Sequence, residues 1–166
     1  LKKKYIKNRP LSDELPLFGT GNKWTMRLIT FPGQGTPIAI PVLKSVIRNK
    51  AKEFQNVLER NGKGSDDLLQ YVLQNPSSPG SIAVCSKLYY DLYRSSVRED
   101  SGQEILLGHS LGELTCLSAN SLFSLRDLFD IANYRNELMV RCTEKYLHAH
   151  RISWSSLFEM WALSSP

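Results

Sequence analysis

Near the middle of the chain, Gly108-His109-Ser110-Leu111-Gly112 follows the pattern Gly-x-Ser-x-Gly. A serine on a sharp strand-to-helix turn is a nucleophile for acyl transfer. The turn projects its hydroxyl above the sheet, and the helix behind it offers unpaired N–H groups to the charge that develops on the attacked carbonyl oxygen. Glycine at 108 and 112 leaves room for so tight a turn. The bare pattern also occurs as an unreactive turn, so its flanks decide. The short apolar stretch Glu104-Ile105-Leu106-Leu107 before it reads as a strand, and a helix is expected from Ser110 to about Asn120. These flanks favour the reactive serine.

The other reactive side chains have plainer readings. His109 adjoins the serine, and neighbouring elbow residues point in different directions, so it is assigned to shaping the turn. His148 and His150 read as surface residues. Glu113 falls in the first helical turn, where the dipole favours an acid. Cys116 reads as a small buried residue rather than a second nucleophile. Cys85, Cys116 and Cys142 are widely spaced, with no Cys-x-x-Cys pair, which fits reduced thiols. Neither a metal nor a cofactor is expected.

The serine needs elements to position it. Met26 to Phe31 reads as a strand stopped by Pro32-Gly33. Val42, Val46 and Ile47, then Phe54, Val57 and Leu58, mark helical stripes broken at 61–64 by Asn-Gly-Lys-Gly. Ser65 opens a helix through Leu68, Leu69, Val72 and Leu73 that Asn75-Pro76 ends. Pro79 suits the first turn of another, with Ile82, Cys85, Leu88, Tyr89 and Leu92 along one face until about Ser95. Ser124, with Asp127 three residues on, caps a helix running to about Tyr146. An apolar run at 158–163 reads as a further strand. Strands alternating with helices predict an α/β fold with a parallel sheet.

Charge bounds the partners. Lys and Arg number 21 against 16 Asp and Glu, giving +5, and the excess lies in Lys2, Lys3, Lys4, Lys7 and Arg9. Residues 1–23 are expected to be a basic arm, either a solvated tail or a targeting segment; residues 24–166 are expected to belong to one domain. No aromatic stripe interleaves with basic residues, so nucleic-acid binding is not expected. No apolar run approaches the roughly 18 residues of a membrane span.

Three segments carry a family resemblance. Gly108-His109-Ser110-Leu111-Gly112-Glu113 resembles the nucleophile segment of the malonyl-CoA:acyl-carrier-protein transacylases. Phe31-Pro32-Gly33-Gln34-Gly35 resembles their first strand-to-loop segment, and Tyr134-Arg135-Asn136-Glu137-Leu138-Met139 resembles their Arg-Gly-x-x-Met element, with Arg135 lying 25 residues beyond the serine. Resemblance runs over about residues 26–164 and is strongest to fungal mitochondrial members. It implies that Ser110 carries a malonyl ester, that the backbone N–H groups of Gln34 and Leu111 form the oxyanion hole, and that Arg135 grips the malonyl carboxylate. Gly33, Gly35, Gly108, His109 and Gly112 would support the loop and elbow. Malonyl-CoA and acyl carrier protein are the implied partners, the mitochondrial matrix the implied location, and a monomer the expected state.

The sequence departs from that pattern at Thr36-Pro37, where a serine and glutamine are usual, and at Asn136, where glycine is usual. The histidine base that the family uses downstream of the arginine has no counterpart here. The chain is therefore expected to be the N-terminal portion of an acyltransferase with an incomplete parallel-sheet, hydrolase-like core, ending at the entrance to a ferredoxin-like small subdomain and inactive alone. Two alternatives remain. A serine hydrolase or thioesterase shares the elbow but gains nothing from Arg135, and a non-catalytic fragment that binds a carrier protein would suit the +5 charge.

Overall fold

The structure is a computed structural model that describes residues 26–35, 37–97 and 103–153. The basic arm at 1–23 and the strand expected at 158–163 lie outside the described residues. Within them the order is β1 (Met26–Phe31), α1 (Ile40–Asn49), α2 (Ala51–Arg60), α3 (Ser65–Gln74), α4 (Pro79–Ser96), β2 (Gln103–Gly108), α5 (Leu111–Ala119) and α6 (Leu125–His150). No described helix is long and apolar enough to cross a membrane.

β1 and β2 pair in parallel, Met26 opposite Gln103 through Phe31 opposite Gly108, so both strands end at the same level. That register sets the Pro32-Gly33 loop beside the elbow. Side chains alternate across the sheet. One face turns toward α4, where the Phe31 ring meets Tyr90 edge-on at 5.7 Å, Arg27 donates to the Tyr93 hydroxyl at 2.9 Å, and Arg94 pairs with Glu104 at 2.9 Å. The other face leaves Met26, Leu28, Ile105 and Leu107 exposed. Parallel sheets ordinarily bury both faces, and among the described residues this one is covered on one. The fold of the described residues is thus α/β with a parallel pair, as expected, but mostly helical, and a pair of strands does not by itself make the hydrolase-like core that was expected.

The core lies among the helices. α4 packs against α2, α3, α5 and α6. It buries Ile82, Val84, Cys85, Leu88 and Leu92 against Phe54 and Val57 of α2, Val72 of α3 and Leu128 of α6. Burial at about 25 cal/mol per Å² makes such clusters the main favourable term. The stripe expected on α1 is corrected by one residue. Val42 is 57% exposed and Leu43 is buried, because Leu43, Val46 and Ile47 satisfy the i, i+3, i+4 spacing that Val42 breaks. α6 also outruns its expected end near Tyr146, closing at Arg151 in the left-handed region.

The start of α6 follows its sequence signal. The Ser124 hydroxyl accepts the Asp127 N–H at 3.1 Å, and the Asp127 carboxylate accepts the Ser124 N–H at 3.1 Å and its hydroxyl at 2.7 Å. The hydroxyl bond first, and the backbone bond second, hold Asp127 below the usual carboxylate range. A depressed carboxylate stabilises the fold above its unfolded value, and the contribution disappears as pH falls through the folded value. Ser124→Ala is expected to cost about 1 kcal/mol at neutral pH, and urea unfolding should show the gap between variant and parent narrowing on acidification.

Candidate active site

Ser110 sits at the mouth of β2 with φ 54° and ψ −108°, one of three described non-glycine residues at positive φ. Such a backbone costs on the order of 1–3 kcal/mol and persists only where its surroundings fix it. The His109 N–H donates to the Phe31 carbonyl at 3.4 Å, and the Gly112 N–H donates to the His109 carbonyl at 2.9 Å. The first bond fastens the turn to the end of β1, and the second closes the turn on itself. A Cβ on Gly108 would lie 2.2 Å from the Gly112 oxygen, and one on Gly112 would lie 2.3 Å from the Phe31 oxygen. Those neighbours are backbone and cannot give way. Gly112→Ala is therefore expected to destabilise the protein by at least about 3 kcal/mol, read as a lower urea midpoint.

Leu111 opens α5 fully buried, and the first-turn N–H groups of a helix lack intrahelical acceptors. The Gly112 N–H is taken by the His109 carbonyl and the Glu113 N–H by the Ser110 carbonyl at 3.2 Å, which leaves the Leu111 N–H as the first-turn donor beside Ser110. Glu113 is exposed in the same turn.

α6 brings Arg135 back to the elbow. Asn133, one half-turn earlier, accepts the Gly80 N–H at 3.0 Å, and Gly80 has no room for a Cβ against Asn133 and Phe129, so α6 meets α4 closely here. Arg135 Nη2 then donates to Ser110 Oγ at 2.9 Å. Its Nη1 is buried with no hydrogen-bond partner. Leaving a charged donor so costs more than the roughly 1–3 kcal/mol typical of neutral groups, so an acceptor delivered beside Ser110 would relieve it.

The loop after β1 completes the cluster. Gly33 lies against His109, where a Cβ would come within 2.9 Å of Nδ1, and Gly35 has φ +106°. Gln34 Nε2 donates to Asn136 Oδ1 at 2.7 Å. That contact was not foreseen from the sequence, where Asn136 stood out only as a departure from glycine.

No histidine or carboxylate among the described residues is hydrogen-bonded to Ser110. His109 is exposed with its ring beside Gly33, and His150 stacks on Tyr146 at the far end of α6. Burial, and Glu113 after it, push the Cys116 thiol up, and burial pushes Cys85 up to about 12. Neither thiol is activated as a nucleophile. No group of three or more metal-ligating side chains converges among the described residues.

The mitochondrial malonyl CoA-acyl carrier protein transacylase of Saccharomyces cerevisiae is 62% identical to this chain over 161 residues. This chain is similar to a malonyl transacylase. The match takes in 85% of this chain and 45% of the yeast transacylase, so the chain spans less than half the length of that relative. No family model matches the chain, and no solved structure matches it. The serine, arginine and loop residues set out above thus occupy a chain closely similar to part of the yeast transacylase.

Proposed function

We propose that the protein carrying this chain is a mitochondrial malonyl-CoA:acyl-carrier-protein S-malonyltransferase of fatty acid synthesis, and that these residues form its nucleophile and carboxylate site. The observation that carries the proposal is the Arg135 guanidinium, bonded to Ser110 Oγ through Nη2 while Nη1 is buried and unpartnered. A cation at acyl-group distance from a strained serine suits an acyl group that ends in a carboxylate. Similarity to the yeast transacylase supports the same substrates.

Ser110 Oγ attacks the malonyl thioester carbonyl, and its proton passes to a base. Collapse of the tetrahedral intermediate breaks the carbon–sulfur bond and releases coenzyme A as its thiol. The phosphopantetheine thiol of the carrier protein then attacks the malonyl ester, leaving malonyl thioester and free serine. The N–H groups of Gln34 and Leu111 hold the oxyanion, and losing one such donor costs about 3 kcal/mol. We assign the base to a histidine in the region matching the rest of the yeast transacylase. The same region would cover the exposed Met26, Leu28, Ile105 and Leu107 face, completing a hydrolase-like core, and the basic segment 1–23 would belong to mitochondrial targeting.

The test uses a chain spanning the length of the yeast relative, mixed with malonyl-CoA and acyl carrier protein and followed by intact mass. Malonylated carrier protein is expected. Release of free malonate without carrier acylation would favour the hydrolase alternative, and carrier binding without acylation would favour the binding module.

A further inference from the structure

We infer that Asn136 is a positioning residue that sets the oxyanion loop, an inference that rests on the malonyl-transfer reading. Arg135 and Asn136 are adjacent on α6, so their side chains diverge by about 100°. Arg135 reaches Ser110, and Asn136 reaches Gln34 across 102 residues of sequence. One turn of one helix therefore touches both the nucleophile and the loop.

Among the described residues the loop has few other fastenings. On its inner side Gly33 lies against His109. On its outer side Gln34 is exposed, and Gly35 follows in a conformation that side chains rarely adopt, with nothing within 4 Å of where its Cβ would be. The 2.7 Å bond from Gln34 Nε2 to Asn136 Oδ1 closes that open side. Its consequence falls on the Gln34 backbone, because fixing the side chain narrows the directions in which the N–H of the same residue can point. The glycine that the family pattern places at this position can make no such bond, so the tether belongs to this chain's own sequence.

An oxyanion donor acts on the tetrahedral intermediate rather than on the bound thioester, so misplacing it lowers kcat and leaves KM largely unchanged. Asn136→Ala separates this role from a structural one, since alanine is the better helix former and the variant should be no less stable than the parent. With malonyl-CoA and the chain spanning the yeast relative's length, Asn136→Ala is expected to slow single-turnover acylation about tenfold, KM staying within about twofold. Gln34→Ala, which keeps the backbone N–H, should slow it similarly, and the double variant should be no slower than either single one. Acylation at the parental rate in Asn136→Ala, or multiplicative losses in the double variant, would overturn the tether while malonyl transfer by the parent stood. A parent that took no malonyl group would overturn the malonyl-transfer reading and the tether with it.

Discussion

In the chain spanning the yeast relative's length, and on the malonyl-transfer reading, Ser110→Ala is expected to take no malonyl group from malonyl-CoA and to lose about 10⁶ in transfer rate, the magnitude seen when an activated serine nucleophile is removed. The residual rate would come from the loop and Arg135, which bind without forming the ester. Intact mass of acid-quenched protein checks the outcome. A malonyl ester still present on Ser110→Ala would place the nucleophile elsewhere and sink the assignment. Stability adds an independent reading. With φ 54° and ψ −108°, Ser110 is strained in a way that alanine retains and glycine relieves. Ser110→Gly should therefore be as inactive as Ser110→Ala but more stable than it, by about 1 kcal/mol in urea unfolding. Equal stability of the two variants would mean that the elbow stores no strain.

The elbow and its strands were legible because local chemistry specifies them. Short apolar runs bounded by proline or glycine located β1 residue for residue and β2 to within one residue at each end. Gly108 and Gly112 announced a turn whose backbones approach too closely for any Cβ. Ser124 and Asp127 announced the start of α6 because a cap closes within three residues. Contacts between distant segments were less visible. On periodicity alone Arg135 is an ordinary helix arginine, and only the resemblance pointed it toward Ser110. The Gln34–Asn136 bond joins two uncharged side chains 102 residues apart and leaves no periodic trace. Val42 was misplaced because it breaks the i, i+3, i+4 spacing that its neighbour Leu43 keeps with Val46 and Ile47, and it is Leu43 that joins the core.

In the same longer chain, and on the same reading, Arg135→Ala is expected to lower malonyl transfer by about 10³ while acetyl transfer falls far less, so that discrimination between the two collapses. The malonyl carboxylate must shed water to enter, and without a guanidinium it stays an unpaired charge. Removing one partner from such a pair costs about 3–5 kcal/mol. Acetyl has no charge to pair, and it leaves Arg135 with a buried, unsatisfied Nη1, the arrangement already present in the free site. Arg135→Lys should recover only part of the loss, because an ammonium is a point charge and cannot offer two parallel donors to one carboxylate. Arg135 Nη2 also bonds Ser110 Oγ directly, so its removal bears on the nucleophile as well as on the substrate. Measuring kcat/KM for both acyl-CoA substrates separates these effects: equal losses with malonyl and acetyl would show that Arg135 serves Ser110 alone, whereas a loss confined to malonyl requires that the arginine meets the carboxylate.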